Sequence, residues 1–297
     1  MSVALGRIGL WTSTLDALPL PRALDALREL EADGWPSLWY GEAYGRESLT
    51  AAAMYLGATE RMVIGTGIAS IFGRDALAAA GAARTLQVAH PDRFVLGLGI
   101  SHAPLVERLR GHTYDKPVAT MRDYLTALRG APDGTADQSP LPPVVVAALG
   151  PAMQDAAREL SDGVHPYLVT PEHTAATRER IGAEKMLVVE QGVVLGGDRA
   201  TYLERAHAHL EIYTGLPNYR NSWLRQGFAE DDLVRGGSDR LAEGMVAHGD
   251  EAALLARAQE HLDAGADSVC LQVLSADPDV SLRADWHRLA QSLPSLD

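Results

Sequence analysis

Lysine is almost missing from this chain of 297 residues: of its 26 basic side chains, only Lys116 and Lys185 are not arginines. Nothing clusters the arginines, so the bias reads as base composition of the gene rather than chemistry. Cysteine is rarer still. Cys270 stands alone, which excludes a disulfide framework, a C-x-x-C redox pair or a thiolate metal cluster within one chain. Basic charge is in deficit as well: 39 acidic residues leave a formal net charge of −13. Nucleic acid is therefore not expected as a partner, because phosphate binding needs a clustered basic face. No apolar run reaches the roughly 18 residues that suggest a membrane span. The opening MSVALGRIGLWTS has no charged start, long apolar stretch and small-residue cleavage site. A cytoplasmic protein with no membrane association is the expectation.

Familiar catalytic signatures are absent too. There is no G-x-S-x-G, no H-E-x-x-H and no G-x-x-x-x-G-K-[ST]. His207 and His209 are two residues apart on a predicted helix, where they face different ways and make a poor metal pair. The acid pairs Asp231/Asp232 and Asp277/Asp279 fall in apparent loops without a histidine nearby. No metal site is expected.

What is present is an alternation of short apolar runs with longer amphipathic ones. Strands are predicted at Arg7–Thr12, Ser37–Glu42, Val63–Ile71, Phe94–Gly99, Pro143–Ala148, Gly163–Val169, Met186–Val194 and Ser268–Val273. A helical stretch follows each, and Gly215–Gly249 reads as an extra segment of short helices between strands seven and eight. Runs such as VLGLG, PVVVAA and MLVVEQGVVL are continuously apolar, as parallel strands covered on both faces must be. An open dinucleotide-binding sheet would carry G-x-G-x-x-G after its first strand. Here Ser13-Thr14-Leu15-Asp16 follows instead. Eight βα units over this length suit an α/β fold of the (β/α)8 TIM-barrel type, as one domain over residues 1–297.

In such a barrel, function collects in the loops after the strands. Glu42 follows strand two and can accept a hydrogen bond or act as acid or base. Gly65 and Gly67 interrupt strand three, marking either a close approach of another group or tight packing. Gly99, Ile100, Ser101 and His102 end strand four, and His102 can titrate near neutrality. Leu149-Gly150-Pro151 and Thr170-Pro171 each open a helix. Two adjacent helix N-termini make a phosphate cradle plausible, although Thr170 would cap its helix whatever the function.

The stretch from Met62 to Ser101, MVIGTGIASIF…ARTLQVAHPDRFVLGLGIS, resembles the bacterial luciferase-like flavin and deazaflavin oxidoreductases. VVVAALGPAMQDAARELSDGV and HLDAGADSVCLQVL resemble them as well. The likeness covers essentially the whole chain and is greatest for the branch that uses coenzyme F420. It implies a hydride-transferring oxidoreductase with F420 and an unknown small organic substrate. The alternatives are an FMN-dependent monooxygenase fed by a separate reductase partner, and a non-catalytic cofactor-binding protein. It implies a cis Gly67–Ile68 peptide beneath the cofactor ring, with small Gly67 leaving room for it. Glu42, Ser70, Gly99, Ile100 and Ser101 would contact the ring, and Leu149, Gly150, Pro151 and Thr170 the tail. Relatives place a catalytic histidine at the end of strand two, where this chain has Ala43. That leaves His102, with Glu42, as the candidate acid/base. These barrels commonly form homodimers.

Overall fold

The computed structural model describes residues 3–275 and 280–293. Asp277 and Asp279 lie outside them. Ten strands form one all-parallel sheet: β1 Ile8–Trp11, β2 Ser37–Tyr40, β3 Val63–Thr66, β4 Ala69–Ser70, β5 Phe94–Gly99, β6 Val144–Val146, β7 Gly163–Val164, β8 Met186–Leu195, β9 Val246–Gly249 and β10 Ser268–Val273. β10 hydrogen-bonds to β1 on one side and β8 on the other, which closes the sheet on itself. β3 and β4 share one position against β5. The result is the expected eight-stranded (β/α)8 barrel.

Eleven helices are described: α1 Leu20–Ala32, α2 Ser48–Ala58, α3 Ala76–Ala89, α4 Pro117–Gly130, α5 Pro151–Leu160, α6 Pro171–Ile181, α7 Arg199–Tyr213, α8 Pro217–Arg225, α9 Asp239–Met245, α10 Glu251–Asp263 and α11 Val280–Ala290. Local chemistry starts many of them. Asp75, Thr170, Asp198 and Asp250 cap their helices by accepting a backbone N–H. Proline at the first helical position opens α4, α5, α6 and α8.

Three expected strands change shape. Strand two ends at Tyr40 rather than Glu42. Strand three breaks between Thr66 and Ala69, where the Gly67–Ile68 peptide is cis. Strand six stops at Val164 instead of Val169, because Pro166 has no N–H for the ladder. That early stop bares the far end of β8. The supposed all-helical Gly215–Gly249 segment fills it: its last four residues are β9, paired along Gly192–Leu195. Val246 and Ala247 are buried there.

The barrel interior is unusually aromatic. Trp11, Trp39, Val63, Val95, Val145, Val188 and Cys270 pack together inside it. His165 stacks on Trp39 with ring centres 4.7 Å apart. Glycines make this possible. A Cβ on Gly65 would sit 2.5 Å from the Trp39 ring, and one on Gly67 would sit 2.6 Å from Trp11 Nε1 and 2.8 Å from His165 Nε2. The room beside Gly67 is thus taken by Trp11 and His165, which corrects the expectation that its missing side chain leaves space for a ring. A second cluster, with Tyr219, Trp223 and Phe228 buried in it, joins α7, α8 and α9 over the C-terminal ends of the strands.

Candidate active site

Glu42 lies in the loop after β2, tethered by its backbone N–H to Ile68 O at 3.1 Å. Its side chain is buried. Oε2 accepts from Ser70 N at 2.8 Å, Oε1 accepts weakly from Ser48 N at 3.4 Å, and the carboxylate pairs with Arg74. Arg74 also pairs with Glu47 at 2.6 Å, and Arg110 approaches Glu42 to 4.0 Å. Both oxygens of Glu42 are engaged, so the residue ties the loop after β2 to β4. Ser70 is itself buried, and its Oγ accepts from Phe72 N.

Ile68 and Gly99 meet directly, since a Cβ on Gly99 would stand 2.4 Å from the Ile68 side chain. Ile100 is half-buried against the core. Ser101 adopts a left-handed backbone at φ 59°, and its carbonyl accepts from Tyr114 Oη at 3.4 Å. His102 turns its ring toward Tyr219, with centres 5.8 Å apart, and has the Asn218 side chain near it. Burial lowers its pKa below the ordinary histidine value, with Asn218 acting in the opposite direction.

Leu149, Pro151 and Gln226 line a cleft of about 670 Å³ between α5 and α6. Thr170 stands beside it, its N–H donating to Gln226 Oε1 at 2.9 Å and its hydroxyl capping α6. A Cβ on Gly150 would lie 3.6 Å from Arg225. Arg225 donates to Leu149 O at 3.4 Å and has no acidic partner among the described residues. The cleft continues past Gln154 and His173 to a mixed stretch of Arg158 and Arg180 with Asp155, Glu172 and Glu179, in which Arg180 pairs with Asp155 at 3.1 Å.

The site residues therefore fall into two groups on the same end of the barrel: Glu42, Ser70, Ile68 and Gly99 to Ser101 at one part of the rim, and Leu149 to Pro151 with Thr170 at another. Between them lies a polar core that inspection of strand ends misses. Trp11 Nε1 donates to Gly67 O at 3.0 Å. Tyr167 Oη donates to Gln272 at 2.7 Å, accepts from Tyr213 at 3.2 Å and lies 3.3 Å from His209 Nε2. Glu190, fully buried on β8, accepts from Leu168 N at 3.1 Å, while its Oε1 has no partner. Burial lifts its pKa to about 8 and holds those of His165 and His209 near 4. One signal was available: Glu190 is the lone charge in MLVVEQGVVL. The two histidines of the H-x-H pair do diverge, since His207 bonds Gly236 O and Asp239. No group of three or more potential metal ligands occurs among the described residues, nor is any described helix long and apolar enough to cross a membrane.

The site thus sits on a closed parallel barrel with a broken third strand, an insertion before its last strand and polar side chains gathered at the strand ends. The family model described as luciferase-like monooxygenase matches residues 1–267, and the chain belongs to that family. A putative coenzyme F420-dependent oxidoreductase of Mycobacterium tuberculosis is 30% identical over 123 residues; the match spans 41% of this chain and 35% of that relative. The 5,10-methylenetetrahydromethanopterin reductase of Methanolobus tindarius is 24% identical over 76% of this chain and 75% of its own length. Among solved structures, an F420-dependent secondary alcohol dehydrogenase in complex with an F420-acetone adduct superposes over the whole of both chains, with a TM-score of 0.75 at 15% identity.

Proposed function

We propose that the protein is an F420-dependent oxidoreductase that exchanges hydride between the deazaflavin ring and a small organic substrate. The observation that carries this reading is the cleft between α5 and α6 with Arg225 at its head. Two helix N-termini and a cation without a carboxylate suit a phosphate. The cleft then runs two helical turns outward, from Pro151 to Arg158, or about 10 Å at 1.5 Å per residue. That length suits the extended tail of F420 better than the short ribityl phosphate of FMN, and the tail's acid groups would have to draw Arg158 and Arg180 away from the carboxylates beside them. Leu149, Gly150, Pro151 and Thr170 would hold the tail. Gly67, Ile68, Ser70, Gly99, Ile100 and Ser101 would form the platform for the ring.

When bound, the deazaflavin supplies the hydride chemistry, and the chain supplies orientation and electrostatics. Glu42 has its oxygens occupied by Arg74, Ser70 and Ser48, so in this reading it fixes the edge of the platform. His102, half-buried and with its pKa lowered by that burial, is left to exchange the accompanying proton. A second copy of the chain would cover the exposed apolar face of α2 and α3.

Titrating the purified protein with F420 and with FMN tests the cofactor. Tight F420 and weak FMN binding are expected. Tight FMN binding without F420 binding sinks the proposal in favour of the monooxygenase reading. Arg225→Ala should weaken F420 binding roughly tenfold, the worth of one charge-assisted hydrogen bond.

A further inference from the structure

Tyr219 sits in the first turn of α8, in the insertion, and is packed on all sides by rings. Tyr213 lies 4.8 Å away, Trp223 5.7 Å, His102 5.8 Å and Tyr167 6.3 Å, centre to centre. Only 7% of the residue is exposed. Yet its hydroxyl finds no hydrogen-bond partner among the described residues, and it is not one of the fully enclosed orphan atoms. The neighbouring Tyr213 and Tyr167 hydroxyls are by contrast engaged with each other and with Gln272. The hydroxyl is thus the part of this packed ring that solvent reaches, and its hydrogen is free to be given to an acceptor entering from outside the protein.

We propose that Tyr219 is a specificity-determining residue whose hydroxyl donates to an oxygen of a neutral, flat substrate held between α8 and the His102 loop. The inference rests on the reading that the broken third strand carries the cofactor ring. Trp11 links the two places, since it bonds Gly67 O and its ring centre lies 5.3 Å from that of Tyr167.

The preference for a neutral ligand follows from the groups around the cluster. Burial lowers the pKa of His102 and holds that of His209 near 4, so both rings are mainly uncharged at pH 7. The tyrosines are raised well into the alkaline range by the same cause. Glu190, raised to about 8, is mostly protonated there. A carboxylate or ammonium substrate would lose its hydration and meet no counter-charge. A carbonyl compound loses little and gains the Tyr219 donor.

Benzaldehyde, toluene and benzoate share one ring and differ only in acceptor and charge. Calorimetric titration of the wild-type protein should give benzaldehyde about fivefold tighter than toluene, one neutral hydrogen bond, and no detectable benzoate binding. In Tyr219→Phe the benzaldehyde affinity should fall to that of toluene, with toluene affinity and unfolding temperature unchanged because the hydroxyl bonds nothing in the protein. A preference that survives in Tyr219→Phe overturns the proposal. So does benzoate binding as well as benzaldehyde, or failure of all three probes to bind. F420 affinity, measured on the same two proteins, is expected to be equal. Absence of F420 binding in both would strike the cofactor reading while the three-probe comparison still judges Tyr219.

Discussion

Gly67 and Glu190 illustrate how a single side chain, or its absence, is held in place. Gly67 has no room for a methyl group, because Trp11 and His165 occupy the position from opposite partners. Both rings are themselves buried and hydrogen-bonded, so neither can swing aside. Gly67→Ala should cost about 1–3 kcal/mol, the usual range for overpacking a tight core, as measured by urea unfolding. Glu190 acts through its proton. Its native pKa of about 8 lies above the ordinary 4.5, so the native state keeps a proton that the unfolded chain releases between those values. The stability this residue contributes is complete below pH 4.5 and is lost as pH rises toward 8, with a slope of roughly 1.4 kcal/mol per pH unit. Glu190→Gln should remove that slope, and thermal unfolding from pH 5 to 8 will read it. The buried histidines work in the opposite sense. His165 and His209, near 4 in the native state, contribute stability above pH 6.5 that disappears as pH falls toward 4. Glu190 was visible in the sequence as one acid in an apolar strand. Its tyrosine neighbours were not, because Tyr167, Tyr213 and Tyr219 come from separate elements and only the fold collects them.

At the scale of elements, the signals with a local cause were the legible ones. Proline at the first turn marked the starts of α5 and α6 to the residue, and the alternation of apolar runs marked the barrel. What went unread depended on neighbours. β7 looked like a longer strand because its apolar run continues to Val169, but Pro166 removes the ladder donor. β9 lies in a stretch that reads as helix because four residues carry little periodicity, and its pairing edge exists only because β7 stops short. Likewise the two parts of the site were each visible as strand ends, whereas the cleft that extends from one of them depends on how α5 and α6 pack. The pair α2 and α3 shows a different kind of evidence. Met54, Leu77 and Val88 are exposed on them, and the only charge in either helix, Arg84, reaches away to the carbonyls of Ala131 and Pro132. A face this apolar is expected to be covered. Leu77→Arg should convert a dimer to a monomer in sedimentation velocity, leaving the circular dichroism spectrum unchanged; a wild-type protein that sediments as a monomer would refute the covered face.

For the whole molecule, the binding of β8 on both edges has a consequence for how the chain may be divided. β9 runs along one side of β8 and β10 along the other. Both lie on the C-terminal side of Arg235, an exposed residue in the loop before α9. Residues 1–235 and 236–297, produced as two separate polypeptides, would each hold half of a three-strand interlock, with the donor strand of the larger piece gripped from left and right by the smaller. Co-expressed, the two pieces should purify together on a tag attached to either, and recovery of the larger piece alone would show that three ladders (β9 and β10 on β8, and β10 on β1) with the packing of α9, α10 and α11 are too little to reunite them. If they do rejoin, the barrel can be assembled from parts, and the polypeptide's continuity through the insertion is a convenience of synthesis rather than a condition of the closed sheet.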